Sequence, residues 1–393
     1  DNVEQLITMA APQISQILER SSRLKMLITS REPLAIRGEW TVQVPPLALP
    51  DPEHLPDRET LGRIPAVALF VRRAAEVNPS FVLTQDNARE IAEICQCLDG
   101  LPLALELAAA RVNVLPPRPM LQRLSHRLQL LTRGARDVPE RQQTLRNMIA
   151  WSYDLLNPAE QSLFRSLAIF SGGFDIEGAT AIERAGDSGE TLDRLESLVS
   201  KNLVRVETGA DCAPRFFMLA TIQEYAHEKL EALGELAPVQ ERCVRFLVTL
   251  AQTAEPHLYS AERDSCLQRL GNEEVNLRAA LAWCKNDGGA VELGLELAGC
   301  LSDFWLMRDP HEGLCWLQIM LARTTARDRS LARAKALFGA GLLSWKQIKA
   351  QAAARYAEEA LSIFRERGDS FRGAMAQWVL GISRLAEGRI AEG

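Results

Sequence analysis

Three short stretches of this chain carry charged or conformationally special residues at places where they could do chemistry. Asp1 is a carboxylate at the start of the chain, Arg31 follows the apolar run 24–29, and Gly100-Leu101-Pro102 separates two helical patterns. In a phosphate-handling domain, a carboxylate at one strand end can hold Mg²⁺, and a cation at the next strand end can contact a terminal phosphate. A stiff apolar joint can pack on a base. Each stretch alone is weak evidence, because an arginine after a strand is more often a surface charge.

The elements that would position Asp1 and Arg31 follow a helix-then-strand order. Apolar residues recur at helical spacing from Val3 to Leu18, and residues 24–29 are predicted to form a short buried strand. Residues 39–44 alternate apolar and polar side chains, which predicts a second strand. This order is typical of the back half of a parallel, doubly wound α/β domain, whose ligands lie at the carboxyl ends of the strands.

Four helices are predicted around the Gly-Leu-Pro joint, at residues 64–77, 85–98, 102–114 and 119–131. Gly100 can adopt the left-handed conformation that ends a helix, and Pro102 suits the first turn of the next one. The joint therefore connects the second and third helices of a four-helix module. On spacing alone, a plain helix-to-helix corner explains it equally well.

A winged-helix pattern follows. Three predicted helices precede two short β runs, 203–207 and 215–219, which the loop 208–214 joins as a hairpin. The third of these helices carries charges that cancel, namely those of Asp193, Arg194, Glu196 and Lys201. Because DNA binding requires the neutralisation of phosphates, this disfavours direct DNA contact and favours an intramolecular lid.

The remainder, from residue 242 onward, is helical and rich in alanine and leucine. The segment 336–342 is echoed by 377–382, so that Gly341 recurs as Gly381 with a spacing of 40 residues. Glycine at a close helix crossing, followed by an alanine-rich second helix, is typical of tetratricopeptide-like repeats. A generic helical bundle remains the alternative, since two partial copies define a repeat loosely.

Composition excludes further classes of function. The net charge of −6, from 45 basic and 51 acidic residues, argues against a general nucleic-acid-binding surface. No apolar run is long enough for a membrane span, and no membrane partner is predicted. The eight cysteines are scattered, which favours free thiols in a reducing, cytoplasmic environment.

Several motifs, taken in order, resemble those of STAND-class signal-transduction NTPases of the NB-ARC type. Asp1-Asn2-Val3-Glu4-Gln5-Leu6 looks like the end of their Walker B segment, and Leu27-Ile28-Thr29-Ser30-Arg31-Glu32 resembles their sensor 1 strand. Gly100-Leu101-Pro102-Leu103-Ala104 is similar to their Gly-Leu-Pro-Leu-Ala motif. The stretches 142–156 and 215–226 resemble the linker into their winged helix and the end of that domain, especially in large bacterial regulators.

The resemblance implies roles for the matching residues. Asp1 would coordinate Mg²⁺, Arg31 would contact the γ-phosphate of ATP, and Pro102, with Gly100 and Leu101, would lie near the adenine of ATP or ADP. No G-x-x-x-x-G-K-[ST] motif occurs in the chain, so the phosphate cradle would belong to a missing P-loop domain of a full-length parent. The parent could then be a slow ATPase, whereas hydrolysis by this chain alone is not expected. Met218-Leu219-Ala220 stands where some relatives carry Met-His-Asp, which puts a histidine–phosphate contact there in doubt.

The predicted fold class is mainly α with a truncated α/β remnant. The predicted domains are the end of the NTPase core (1–57), a four-helix lid (58–134), a winged-helix domain (135–235), a helical linker region (236–325) and tetratricopeptide-like repeats (326–393). The predicted function is a fragment of an ATP/ADP-dependent switch that regulates transcription, in which nucleotide exchange releases the lids for self-oligomerisation. A protein partner or small-molecule inducer would bind the repeats. The alternative is a nucleotide-independent protein-interaction scaffold.

Overall fold

The computed structural model describes residues 3, 7–21, 23–30, 32–124, 145–183, 187–208, 213–286 and 290–386. The chain divides into two compact units, which are treated separately below. The first comprises residues 1–168 and 186–234, and the second comprises residues 169–185 and 235–393. The described secondary structure is helical apart from one two-stranded sheet, which confirms the mainly-α fold class.

The first unit contains ten helices and the two strands among its described residues. They are α1 (Ile7–Arg20), α2 (Arg58–Arg63), α3 (Pro65–Val77), α4 (Ala88–Cys97), α5 (Pro102–Ala109), α6 (Pro117–Arg123), α7 (Leu145–Asp154), α8 (Pro158–Leu167), α10 (Ser188–Ser200), β1 (Arg205–Thr208), β2 (Pro214–Phe217) and α11 (Ala220–Ala232). The second unit contributes α9 (Ile176–Ile182), which lies between α8 and α10 in the chain.

The two strands predicted near the start of the chain do not form. Residues 24–29 and 39–44 have no regular secondary structure and belong to no sheet, and Leu27 and Trp40 are 98% and 92% exposed. The prediction of a buried strand at 24–29 and of a second, alternating strand at 39–44 is wrong for a physical reason: a segment becomes a strand only when a neighbour pairs with its backbone groups. One such contact is present, since the Val3 N–H donates to the Thr29 carbonyl oxygen at 3.2 Å.

Four helices of the module α2–α6 lie where helices were predicted, whereas α2 was not predicted, and residues 125–131 of the predicted fourth helix lie outside the described residues. Pro65 and Pro102 occupy the first turns of α3 and α5, and the Asp57 carboxylate caps α2 by accepting the N–H groups of residues 59 and 60. The predicted third helix ends at Ala109 rather than at residue 114, because residues 110–114 form turns. The core of this module consists of fully buried side chains, among them Leu61, Val67, Phe70, Ile91, Ile94, Leu98, Leu105 and Met120.

The start of α8 is fixed by a reciprocal capping box. Asn157 accepts the N–H of Glu160, and the Glu160 carboxylate accepts the N–H of Asn157, both at 2.9 Å. Glu160 also accepts hydrogen bonds from Ser197 and, at 3.0 Å to each oxygen, from Lys201. Burial acts to raise the pKa of Glu160, but these hydrogen bonds outweigh it and hold the pKa below its ordinary value. The network joins α8 to α10.

We expect Glu160→Gln to reduce the stability of the first unit at neutral pH by about 1–2 kcal/mol, because Lys201 loses its charged acceptor. The native pKa of Glu160 is lower than its unfolded value, so its contribution is present above about pH 4.5 and is lost as the pH falls through the native pKa. Urea unfolding at pH 7 and pH 3, followed by amide exchange in α8, measures this. The exposed Glu196→Gln variant is the control, and an equal loss at both pH values would contradict the prediction.

The predicted hairpin is confirmed. Strands β1 and β2 pair antiparallel, with Arg205 opposite Phe217 and Thr208 opposite Pro214. The strand ends lie within two residues of the predicted β runs, because alternating apolar residues and a short connection are local signals. Phe216 is buried, so one face of the hairpin packs on the unit.

The second unit is an array of helices. After α9 these are α12 (Leu236–Ala254), a 3₁₀ helix (Glu255–Tyr259), α13 (Arg263–Asn272), α14 (Glu274–Lys285), α15 (Val291–Cys300), α16 (Ser302–Arg308), α17 (Pro310–Leu321), α18 (Leu331–Lys346), α19 (Ala350–Arg367) and α20 (Ser370–Ala386). Helix α19 ends at Gly368, whose φ of 73° lies in the left-handed region.

Glycine allows close packing where α18 meets α19. A Cβ atom at Gly341 would lie 3.3 Å from the carbonyl oxygen of Ala353 and 3.4 Å from the backbone nitrogen of Ala357. Small residues on both sides therefore let the two backbones approach. This is the crossing that the repeat pattern predicted from Gly341 and the alanines of the following helix.

The described cysteines, seven in all, are free thiols. Burial raises the pKa of Cys95 to about 12, so this thiol stays protonated at neutral pH. Among the described residues, no helix combines the length and the apolar composition that crossing a membrane would require.

Candidate functional site

The Gly-Leu-Pro joint begins where α4 ends in a Schellman motif. The N–H of Asp99 donates to the Gln96 carbonyl oxygen at 3.0 Å, and the N–H of Gly100 donates to that of Cys95 at 3.2 Å. Asp99 has a φ of 54° and Gly100 a φ of 63°, so both lie in the left-handed region. The residue that ends the helix is therefore Asp99, one position before the predicted Gly100.

Gly100 is in direct contact with the segment 45–50. Its carbonyl oxygen accepts the N–H of Leu47 at 3.0 Å. A Cβ atom at position 100 would lie 2.4 Å from the Leu47 carbonyl oxygen and 3.3 Å from a methyl group of Leu49. Both the left-handed backbone and this close approach require glycine.

Two further hydrogen bonds fix the segment 45–50 on the helical module. The side-chain amide of Gln96 donates to the Pro50 carbonyl oxygen at 2.6 Å. The N–H of Ala66, at the start of α3, donates to the Ala48 carbonyl oxygen at 3.3 Å. The proline-rich stretch that leaves the N-terminal part of the chain is thus tied to α3, α4 and the joint.

A third part of the first unit reaches the joint through Asp99. A carboxylate oxygen (Oδ2) of Asp99 accepts the N–H of Thr221, at the start of α11, over 3.4 Å. The N-cap residue of α11 is Leu219, whose side chain has no acceptor. The carboxylate from the helical module therefore supplies an acceptor at a helix end that its own cap leaves open.

Helix α11 also packs against α7. The rings of Tyr153 and Tyr225 lie 5.9 Å apart in a T-shaped arrangement, and the Lys229 ammonium lies 5.4 Å from the Tyr225 centroid. Burial raises the pKa of Tyr225 to about 12, so its hydroxyl stays protonated at neutral pH. This packing fixes the direction of α11 and hence the position of its N-terminus at the joint.

The remaining predicted site residues divide into two groups. Leu101 is half-buried as the N-cap of α5, and Pro102 is exposed at the first position of that helix. Asp1 and Arg31 lie outside the described residues. Their predicted roles, Mg²⁺ coordination and γ-phosphate contact, stay predictions, as does the adenine contact of Gly100, Leu101 and Pro102.

Sequence reasoning missed Asp99, Thr221 and Leu47. Two local signals could have pointed to the first two: an aspartate stands where glycine usually follows a helix, and α11 begins after a leucine that cannot cap it. Nothing local distinguishes Leu47, because its role depends on the backbone of a residue far along the chain.

Residues 156–231 match the family model of the winged helix-turn-helix domain. The matched range holds α8, α9, α10, the β1–β2 hairpin and most of α11. Residues 156–231 are a winged helix-turn-helix domain. The winged helix predicted from three helices and a hairpin is confirmed, but its second helix, α9, was not predicted, and α7, the first predicted helix, precedes the matched range. Thr221, the partner of Asp99, belongs to this domain.

The chain is also similar to mycobacterial proteins. A Mycobacterium tuberculosis protein named "Putative HTH-type transcriptional regulator Rv0890c" is 36% identical over 383 residues, covering 94% of this chain and 41% of that protein. The "Uncharacterized protein Rv0894" of the same organism is 38% identical over 250 residues, covering 63% of this chain and 60% of that protein. The chain therefore spans less than two thirds of the length of either relative.

One solved structure matches over much of the chain. It is a Signal Transduction ATPase with Numerous Domains (STAND) protein with a tetratricopeptide repeat sensor, PH0952 from Pyrococcus horikoshii. It is 16% identical, covers 84% of this chain and 52% of that chain, and has a TM-score of 0.27. A TM-score this low does not establish a shared fold, and no feature of this chain is assigned from it.

Proposed function

We propose that this chain is the regulatory part of an ATP/ADP-dependent switch in a transcriptional regulator of the STAND class. One observation carries the proposal: the segment 45–50, the helical module and the winged helix all meet at the Gly-Leu-Pro joint, through Leu47, Gly100, Asp99 and Thr221. A joint that contacts three parts of one unit can respond to a change in any of them. The name of the similar mycobacterial regulator supports the transcriptional role.

In the proposed mechanism, bound ADP favours the closed arrangement of the helical module and the winged helix. Bound ATP favours an open arrangement, because Arg31 contacts the γ-phosphate of ATP. The lids exposed in the open arrangement then allow self-oligomerisation. This is a population shift driven by the different affinities of the two states for the two nucleotides. Asp1 would hold Mg²⁺ and Pro102 would lie near the adenine, with the phosphate cradle supplied by a P-loop domain of a longer chain.

The winged helix is proposed to act as a lid rather than as a DNA reader. Two cations of its third helix region are engaged within the protein: Arg194 pairs with Glu190 at 2.6 Å, and Lys201 pairs with the buried Glu160 at 3.0 Å. Cations held in this way are poorly placed to neutralise phosphates. Salt-dependent retention of DNA by this chain in filter binding at two salt concentrations would contradict the proposal.

The second unit is proposed to sense a protein partner or a small-molecule inducer. Phe371, Trp378 and Leu385 recur every seven residues along α20, so they lie on one helical face, and they are 75%, 49% and 51% exposed. Trp345 of α18 adjoins this face, with its ring 5.8 Å from that of Trp378. Exposed apolar faces of this kind commonly mark interaction surfaces.

The same apolar face favours the second candidate function, a protein-interaction scaffold that does not respond to nucleotides. The two proposed functions make different predictions for Arg31. A switch requires this cation for ATP but not for ADP, whereas a scaffold has no use for it.

We expect the full-length protein to bind ATP and ADP in calorimetric titration, and Arg31→Ala to weaken ATP binding about tenfold or more while leaving ADP binding unchanged. The reason is that a charge-assisted hydrogen bond to the γ-phosphate is worth roughly 1.5–3 kcal/mol. Arg37→Ala, at an exposed arginine of the same region, is the matched control. Absence of binding by either nucleotide would reject the switch and leave the scaffold.

A further inference from the structure

Asp99 occupies a backbone position at which an aspartate costs stability. As the residue that ends α4 it has a φ of 54°, a conformation that glycine adopts freely and that other residues adopt at a cost. Gly100, which could have occupied that position, is the next residue and is itself left-handed. Glycine at position 99 would therefore end the helix at a lower energetic cost. The carboxylate at this position is expected to have a role other than ending α4.

The explanation lies at the N-terminus of α11. Thr221 is at the second position of that helix, where a backbone N–H has no acceptor within the helix. Leu219, the N-cap residue, offers no side-chain oxygen, and the carboxylate of Asp99 accepts the Thr221 N–H from another module. The positive end of the helix macrodipole adds attraction for a negative charge at this place.

The contact between Asp99 and Thr221 is weak. The hydrogen bond from the Thr221 N–H to the Asp99 carboxylate is long, at 3.4 Å, and the buried hydroxyl of Thr221 has no hydrogen-bond partner among the described residues. A contact of this size can be formed or lost without disrupting either the helical core or the winged-helix core. A contact that forms and breaks in this way suits a switch between two arrangements of the helical module and the winged helix.

We propose that Asp99 is a latch: its carboxylate caps α11 across the module boundary and so holds the winged helix against the Gly-Leu-Pro joint, and its release accompanies the exchange of ADP for ATP. The second part rests on the function proposed above, whereas the closure itself does not. Asp99 is a positioning residue, since it touches a helix end of the winged helix. Because its backbone is continuous with Gly100, a rearrangement of the joint would change the distance between the carboxylate and the Thr221 N–H.

The test is residue-resolved amide hydrogen exchange of the Thr221 N–H in the intact chain. In Asp99→Gly, the backbone strain at the end of α4 is relieved while the acceptor is removed. We expect the Thr221 amide to exchange about fivefold faster or more, the size typical of a lost helix cap, with the amides of α4 protected as well as before. Asp99→Asn, which tolerates the left-handed conformation but lacks the charge, should give a smaller increase and serves as the second variant.

Asp57→Ala is the control, because Asp57 caps its own module's α2 and should leave Thr221 unaffected. If Asp99→Gly stabilises α4 and leaves exchange at Thr221 at the rate of the unmodified chain, the latch is rejected and Asp99 is a helix terminator. The full-length protein then separates the two proposals. Equal exchange at Thr221 with ADP and with ATP would reject the coupling to nucleotide, while the latch, already measured by the variants, would stand.

Discussion

Replacing Gly100 by alanine is expected to destabilise the first unit by about 3 kcal/mol. The left-handed φ of 63° costs an alanine roughly 1–2 kcal/mol. Its Cβ would also lie 2.4 Å from the Leu47 carbonyl oxygen, so the segment 45–50 must move away and lose the Leu47 N–H···O hydrogen bond, worth about 1 kcal/mol. Urea unfolding monitored by amide exchange in α4 and α5 reports on this unit separately from the second.

The chain offers a matched control at Gly234, which follows α11 in the same unit. Its φ is 68°, close to that of Gly100, but a Cβ there meets nothing within 4 Å. Gly234→Ala should therefore show the backbone cost alone, roughly 1–2 kcal/mol. Equal losses in the two variants would mean that the contact between Leu47 and the joint contributes nothing to stability, and the three-way meeting point would lose its main support.

The second large effect is expected in the other unit, at Gly313 of α17. A Cβ there would lie 2.4 Å from the Cβ of Trp305 and 2.9 Å from a methyl group of Leu343. Trp305 is fully buried, and its Cβ is attached directly to the backbone of α16, so one of the two helices must shift. Overpacking of this kind costs about 1–3 kcal/mol, and we expect the upper end for Gly313→Ala in thermal and urea unfolding.

Gly271 of α13 provides the opposite case. A Cβ at this helical position meets nothing within 4 Å, so Gly271→Ala should gain about 0.5 kcal/mol through helix propensity. The two glycine-to-alanine changes in one unit are thus expected to have opposite signs. A loss of stability in both variants would indicate that these glycines are required for backbone conformation rather than for close helix packing.

Several helix starts in the first unit were predictable because their signals are local. Pro65 and Pro102 mark first turns, the pair Asn157 and Glu160 forms the capping box that starts α8, and apolar residues at helical spacing define the faces between these points. The β1–β2 hairpin was predictable for the same reason. Each of these features depends on interactions among residues a few positions apart.

The strands expected at residues 24–29 and 39–44 could not be predicted correctly from local sequence patterns. Their apolar and alternating patterns are typical of strands, yet Leu27 and Trp40 are almost fully exposed and no ladder forms. A helix satisfies its backbone hydrogen bonds internally, whereas a strand depends on a partner that the segment itself cannot supply. Strand propensity alone was therefore insufficient.

The Gly-Leu-Pro joint depends partly on local sequence and partly on tertiary contacts. The residues Gly100-Leu101-Pro102 specify, by themselves, the end of one helix and the start of the next, and this much could be predicted from their backbone preferences. Only the tertiary structure decided that Gly100 meets Leu47 and that Asp99, rather than Gly100, ends α4 and caps α11 at Thr221. These contacts join residues far apart in the chain, and such pairings depend on how the modules pack rather than on the preferences of any one segment.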